Sequence, residues 1–229
     1  MDIYGDFLKD YYFNTLKTEI LLHNSYDTAE ILPLEDFFRS IDNMPDLEIF
    51  ALSLCKGAIL DIGAGTGAHS LVLQQQGYNI TALEISKGAC EVMALKGIKK
   101  IVNQNIFTYN NQKYDTLFLM MNGIGFCGYV DDLKVFLIHA KELLNAGGKI
   151  IFDSSDVAYL YQNEPPEMDS YYGEIDYQYE YNNQKGEWFS WLYIDKVLMQ
   201  QLATEAGLQL QIVYEDENQQ YLGVLTLSK

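Results

Sequence analysis

Three glycines at alternate positions, Gly63, Gly65 and Gly67, follow a short apolar run, and Asp61 stands two residues before the first of them. Glycine lets the backbone turn tightly and lets a ligand approach it closely. An amphipathic segment, residues 69–76, comes next, and the start of a helix offers unpaired backbone N–H groups. A strand, a glycine turn and a helix in this order are typical of a site for a nucleotide-like cofactor.

Two classes of cofactor fit these residues. Gly63, Gly65 and Ala68 satisfy the dinucleotide-binding pattern G-x-G-x-x-[GA], and Glu84 stands at the predicted end of the next strand, where an acid would bond a ribose diol. Asp61 favours a different ligand. A carboxylate beside the loop repels a pyrophosphate but suits the ammonium group and the sulfonium of a methionine-derived cofactor.

Residues 61–67 resemble the first motif of the class I S-adenosylmethionine-dependent methyltransferases, and the resemblance covers residues 57–153. It implies that Glu84 binds the ribose hydroxyls and that residues 105–107 contact the adenine, with Asn105 where the family carries an acid. It also implies that the loop after the fourth strand passes the reacting methyl group. The predicted cofactor-binding residues are Asp61, Gly63, Ala64, Gly65, Gly67, Glu84, Ile85, Asn105, Ile106, Phe107, Met121 and Asn122.

Apolar runs alternate with helical patterns between Gly57 and Asp153, which indicates a parallel sheet with helices on both faces. The predicted strands are 58–62, 78–85, 98–102, 114–121, 149–153, 208–214 and 221–227, and the predicted helices are 66–76, 86–96, 131–144 and 195–206. A short loop joins the last two strands, which are therefore antiparallel neighbours. The predicted fold class is α/β, a Rossmann-like doubly wound sheet of about seven strands with an antiparallel last strand.

Two segments lie outside this alternation. Residues 1–56 show helical spacing and no β alternation, so we expect an N-terminal helical cap on a methyltransferase-like domain of residues 57–229. Residues of about 157–194 are expected to hold an inserted tyrosine-rich β-hairpin, because 174–181 alternate polar and apolar side chains before the turn residues 182–186. Packing onto the domain, a lid over the substrate and a dimer contact all remain open for its aromatic face.

Composition and charge restrict the classes of partner and the cellular compartment that we expect for this protein. The formal net charge is −17 and the longest basic stretch is the short segment 96–100, so a nucleic-acid partner is disfavoured. The three cysteines, Cys55, Cys90 and Cys127, are scattered, which favours a reducing compartment. The sequence contains no apolar run long enough to span a membrane, so we expect a cytoplasmic protein. The three histidines lack metal-ligand spacing. His69 lies just after the loop, so an approach to the site stays open, but a position on a helix surface or in the core is favoured.

The predicted function is therefore a methyltransferase that uses S-adenosylmethionine and acts on an unidentified small-molecule acceptor by in-line methyl transfer. A nicotinamide-dependent oxidoreductase and a non-catalytic cofactor-binding module are the alternatives. The sequence shows no Ser-His-Asp order, Cys-His pairing or paired-carboxylate motif, so no catalytic residue is nominated. The acceptor atom, the need for a general base and the oligomeric state do not follow from these residues.

Overall fold

The computed structural model describes residues 1–161, 170–217 and 219–228. The strands are β1 (Leu21–Asn24), β2 (Glu30–Ile31), β3 (Ala58–Ile62), β4 (Asn79–Glu84), β5 (Ile101–Asn103), β6 (Tyr114–Leu119), β7 (Leu144–Ser155), β8 (Glu174–Tyr181), β9 (Gln184–Lys185), β10 (Phe189–Leu192), β11 (Leu208–Glu215) and β12 (Gln220–Leu227). The α-helices are α1 (Ile3–Tyr12), α2 (Glu35–Phe38), α3 (Asp46–Ser53), α4 (Ala68–Gln75), α5 (Lys87–Leu95), α6 (Val130–Glu142) and α7 (Lys196–Glu205).

Seven strands form the main sheet, in the order β11-β12-β7-β6-β3-β4-β5. Strand β12 lies antiparallel between β7 and β11, and the pairs from β7 to β5 are parallel. Helices α6 and α7 bury Phe136 and Leu202 against one face, and α3 and α4 bury Leu47 and Leu73 against the other. The predicted fold class, a doubly wound α/β sheet with an antiparallel strand near its end, is confirmed.

Backbone geometry sets two strand ends differently from the apolar pattern. Strand β6 stops at Leu119, not at residue 121, because Met121 has φ 62°, which a strand cannot accommodate. Strand β5 starts at Ile101, not at residue 98, because the Ile98 N–H donates to the Met93 carbonyl and so finishes α5. Ile98 is buried, so its apolar character reflects packing and not pairing within the sheet.

A second, antiparallel sheet has the order β10-β8-β1-β2, and β9 also pairs with β8. The predicted hairpin is present as β8 and β10, with Asn182 and Asn183 at positive φ in the turn. Residues 162–169 of the predicted hairpin segment lie outside the described residues. The expectation that 1–56 is wholly helical is wrong, because β1 and β2 belong to this sheet. Leu22 pairs with Tyr179, a partner far along the chain that local spacing does not reveal.

Helix α1 fastens the leader to the main sheet. Gly5 and Gly88 touch backbone to backbone, and a side chain on either would overlap the other. The Asp2 carboxylate accepts hydrogen bonds from the N–H groups of Gly5 and Gly88 and from the Ser86 hydroxyl, each at 2.9 Å. These bonds cap α1 and tie it to the start of α5. The second sheet is thereby held over the carboxyl ends of the parallel strands. In the described ranges, no helix is long and apolar enough to cross a membrane.

Candidate active site

A cavity of about 790 Å³ lies between the two sheets. Its floor consists of the loops that follow β3, β4, β5 and β6, and its roof consists of α1 and strands of the second sheet. The carboxyl ends of parallel strands are where α/β sheets bind ligands. The predicted cofactor residues that line it are Asp61, Gly63, Ala64, Gly65, Glu84, Ile85, Asn105, Ile106, Phe107, Met121 and Asn122. Gly67 is the one predicted residue that does not line it.

The glycine loop uses its N–H groups within the protein. Gly63 and Ala64 donate to the Leu83 carbonyl at 2.9 and 3.1 Å, and Gly65 donates to Glu84 Oε2 at 2.9 Å. The unpaired N–H groups expected from the sequence belong to the start of the helix and not to these three loop residues. These three groups are not available to a pyrophosphate, whereas a phosphate-binding loop directs its N–H groups outwards.

Gly67 has a packing role. It precedes α4 with φ 75°, a conformation that glycine adopts without strain. A Cβ at this position would lie 3.0 to 3.2 Å from Met93 and Ile98. Gly67 therefore lets the start of α4 approach α5 closely and shapes the cavity without facing it.

Glu84 ends β4 and is buried beside the loop. Its Oε1 accepts from the Ser86 N–H at 2.8 Å, and its Oε2 accepts from Gly65. Burial raises the pKa of this carboxyl, and the backbone hydrogen bonds oppose that shift. Each carboxylate oxygen retains a lone pair, so the group can accept two further hydrogen bonds from a vicinal diol.

Asp61 lies at the end of β3, where it is 3% exposed and lines the cavity. Burial raises its pKa, while nearby His69 and a 2.6 Å hydrogen bond from the Ser70 hydroxyl oppose the shift. The bond to Ser70 ties β3 to the first turn of α4. A cationic ammonium group would offset the desolvation of this carboxylate.

The segment after β5 forms a 3₁₀ turn over residues 106–108. Asn105 caps it, because its Oδ1 accepts the Phe107 N–H at 2.9 Å. Ile106 is buried, and the Phe107 ring meets Phe126 at 5.9 Å between centroids. These apolar groups make a flat-sided recess at the β5 end of the cavity. Asn105 thus has a structural bond as well as a place in the lining.

The loop after β6 is strained and firmly held. Met121 and Asn122 both have positive φ, 62° and 52°, which non-glycine residues adopt at a cost of about 1 kcal/mol or more each. The Asn122 N–H donates to both oxygens of Asp153, at 2.9 Å each, and its side-chain amide donates to the Leu192 carbonyl. Asp153 is fully buried, and burial raises its pKa to about 6. Such strain concentrates at functional sites.

Aromatic side chains close the cavity on the other side, where the sequence left a lid formed by the hairpin as one of several alternatives. Tyr179 and Phe189 of the second sheet lie 5.0 Å apart between centroids, and Tyr4 of α1 lies 5.8 Å from Tyr179. The lining residues of this aromatic wall are Tyr4, Phe37, Tyr177, Tyr179, Phe189, Trp191 and Tyr193. The alternation in 174–181 was the available signal. The hairpin therefore packs onto the domain and also lines the cavity. Ile175 lies in a core cluster, and Tyr177 faces the cavity.

His69 also lines the cavity, which is the alternative that its place after the glycine loop left open. It is 7% exposed, and its Nε2 bonds Glu48 Oε2 of α3 at 2.8 Å. Glu48 also pairs with Arg39. The expectation of a core position for His69 is confirmed, but the ring stands at the wall of the cavity.

A sequence profile for a methyltransferase domain matches residues 42–211, which is most of the chain. The protein belongs to the class I S-adenosylmethionine-dependent methyltransferases. This membership excludes the nicotinamide-dependent alternative, and the internally bonded glycine loop agrees with that exclusion. The predicted family and its cofactor, S-adenosylmethionine, are confirmed.

Three relatives illustrate the similarity. A methyltransferase from Bacteroides fragilis, solved with S-adenosyl-L-homocysteine, is 35% identical with a TM-score of 0.92, over 100% of this chain and 95% of that one. A methyltransferase from Clostridium acetobutylicum shares the fold at 17% identity and a TM-score of 0.62, over 85% and 90% of the two chains. Malonyl-[acyl-carrier protein] O-methyltransferase from Hamiltonella defensa is 29% identical over 140 residues. The match spans 57% of this chain and 48% of that relative, about half its length.

Proposed function

We propose that this protein transfers a methyl group from S-adenosylmethionine to a small-molecule acceptor inside the cavity between the two sheets. The proposal rests on one observation, which is that a single cavity has two walls of different character. The predicted cofactor residues form one wall, and an aromatic wall without a charged side chain forms the other. A site of about 790 Å³ suits a cofactor together with a small acceptor.

The residues present fit the cofactor from one end to the other. The recess of Ile106 and Phe107 takes the adenine, and Asn105 and Ile85 border it. The Glu84 carboxylate takes the ribose hydroxyls. The loop residues Gly63, Ala64 and Gly65 carry at most a methyl side chain, which leaves room over the loop for the methionine chain of the cofactor.

The methionine end then lies over β3 and β6, beside Asp61. A carboxylate at this place attracts an ammonium group. Met121 and Asn122 border the position of the methyl group, on a loop that Asp153 holds in place. Gly67 lies on the far side of the turn, where a Cβ would crowd Met93 and Ile98.

The chemistry that the cofactor supplies is an activated methyl group, which a nucleophile takes up by in-line displacement. The protein's own part is to align the two reactants and to exclude water. Tyr4, Tyr179 and Trp191 exclude water, because they cover the strand ends with apolar surface. Asn122 is hydrogen-bonded to Asp153 and to the Leu192 carbonyl. These two bonds fix the floor of the cavity, on which the reactants meet.

The closed roof limits the acceptor to a free small molecule or a narrow side group, since the second sheet lies across the strand ends. The cytoplasm is the proposed location, and the three buried free thiols Cys55, Cys90 and Cys127 suit its reducing conditions. We retain residues 1–56 as a cap on a domain of residues 57–229, although this cap includes strands.

Calorimetry with S-adenosyl-L-homocysteine tests the cofactor site. We expect micromolar binding to the wild type and a loss of roughly ten- to a hundredfold in Glu84→Gln, because a charge-assisted hydrogen bond contributes about 1.5 to 3 kcal/mol. Glu91→Gln on α5 is the matched control, since Glu91 faces Lys9 at the surface. Equal affinity in both variants would remove Glu84 from the site. No binding to the folded wild type would end the proposal. If the wild type binds the ligand, turnover over an acceptor panel separates an enzyme from a non-catalytic module.

A further inference from the structure

His69 has one ring nitrogen in use and one free. Its Nε2 bonds Glu48 at 2.8 Å, whereas Nδ1 has no hydrogen-bond partner in the part of the chain that the structure describes. The ring edge packs against Phe118 at 5.6 Å between centroids, which fixes its orientation. A polar side chain that is 7% exposed, lines a cavity and keeps an unpaired nitrogen is arranged for a ligand.

The position of His69 in the chain shows which end of the cavity its ring lines. It is the second residue of α4, next to Ser70, which bonds Asp61. The ring therefore lies at the β3 and β6 end, away from the adenine recess at β5. Two further nitrogen groups line the cavity, Lys87 and the Met1 amino group, and they lie at the opposite side, where Asp2 binds the start of α5.

The methionine part of the cofactor ends in an ammonium group and a carboxylate. Asp61 suits the ammonium group, but a carboxylate needs donors. The loop cannot supply them at Gly63, Ala64 or Gly65, because those N–H groups are bonded within the protein. The Thr66 hydroxyl is also occupied, since it donates to the Phe37 carbonyl and accepts from Lys96.

We propose that His69, oriented by Glu48, binds the methionine carboxylate of the cofactor through Nδ1–H. This inference rests on the proposed cofactor site. Because Nε2–H donates to Glu48, a second donor at Nδ1 requires the protonated ring. Glu48 on α3, Asp61 on β3 and Asp153 on β7 all present carboxyl groups to this ring, and Arg39 lies behind Glu48. Three elements thus present carboxyl groups to this ring.

Two ligands separate this role from others. S-adenosyl-L-homocysteine carries the carboxylate, and its decarboxylated analogue keeps the amine but lacks that group. In calorimetry we expect the wild type to prefer S-adenosyl-L-homocysteine by roughly ten- to a hundredfold. In His69→Asn the two ligands should bind within about twofold of each other, with the affinity for the analogue unchanged. His139→Asn on α6 is the matched control and should keep the full preference.

The ring nitrogen signals of His69 supply the second readout. In nuclear magnetic resonance spectra of the ¹⁵N-labelled wild type, the Nδ1 resonance should move when S-adenosyl-L-homocysteine binds and should stay in place when the analogue binds. If His69→Asn fails to fold, this measurement on the wild type still decides the question.

The outcomes are distinct. His69→Asn that keeps the preference for the carboxylate overturns the inference, and so does an equal loss of affinity for both ligands. A His69 Nδ1 resonance that responds equally to both ligands in the wild type also overturns it. If the folded wild type binds neither ligand, the proposed function itself fails and this inference fails with it.

Discussion

Single side chains hold the loop on which the reactants are proposed to meet. Asp153 is fully buried at the end of β7, and its carboxylate accepts the Asn122 N–H and the Gln220 side-chain amide. The loop carries two strained residues, Met121 and Asn122, and these bonds restrain it. A buried carboxylate is thus used to support a backbone conformation that the loop would not adopt by itself.

The titration of Asp153 gives a prediction with a definite sign. Burial raises its pKa from 3.8 to about 6, so between these values the folded protein binds a proton that the unfolded chain does not. Its stabilising contribution is therefore present below pH 3.8 and is lost as the pH rises through 6. Relative to Asp153→Asn, the wild type should gain up to roughly 3 kcal/mol between pH 7 and pH 4.

Denaturant unfolding of both proteins at several pH values measures this difference. Other buried acids, such as Asp61 and Glu84, titrate in both proteins and cancel in the comparison. A difference in unfolding free energy that stays constant from pH 7 to pH 4 would contradict the raised pKa of Asp153.

At the scale of elements, α1 joins the second sheet to the main sheet. Its N-terminus is bonded to the start of α5 through Asp2, and its Tyr4 ring stands in the cavity against Tyr179. The close backbone contact of Gly5 with Gly88 makes this docking possible. The position of Tyr4 at the cofactor site therefore depends on two glycines that line no part of the cavity.

Gly88→Val should push α1 away from α5, because its side chain would overlap the Gly5 backbone. We expect faster hydrogen exchange in residues 3–12 and an affinity for S-adenosyl-L-homocysteine roughly three- to tenfold lower, the worth of one buried aromatic contact. Ala94→Val, on the exposed face of the same helix, is the control. Slow exchange in α1 together with normal affinity in Gly88→Val would show that the helix contact is not needed.

At the scale of the whole molecule, the two sheets come from interleaved parts of the chain. Strands β1 and β2 precede the main sheet, whereas β8 and β10 lie between β7 and β11. The cavity exists only where these parts meet. A ligand that fills it should therefore stabilise both sheets together and not the main sheet alone.

At a concentration one hundred times its Kd, S-adenosyl-L-homocysteine should stabilise the fold by about 2.7 kcal/mol and raise Tm by roughly 5 to 10 °C. Hydrogen exchange should slow in the loops after β3, β4 and β6 and also in β8 and β10. Reduced nicotinamide cofactor at the same concentration should leave Tm unchanged. Protection limited to the main sheet would contradict a site between the sheets.

Local patterns in the sequence were sufficient for the family, the methyl donor and the main sheet. The glycine spacing, Asp61 and Glu84 lie within one strand–helix–strand unit, so short-range spacing encodes their relation directly. Strands buried on both faces read as apolar runs, which located β3, β4, β6 and β7. The positions of Gly65 and Glu84 in the cavity agree with that reading.

Contacts between distant parts of the chain decided the rest. Leu22 becomes a strand residue because β8 offers it a partner, and no local periodicity encodes such a pairing. His69 meets Glu48 only when α3 packs on the main sheet, and the N–H groups of the glycine loop find their acceptors only when the fold brings Leu83 and Glu84 within reach. Hydrogen-bond partners and cavity walls are properties of packing, so the tertiary structure alone could determine them.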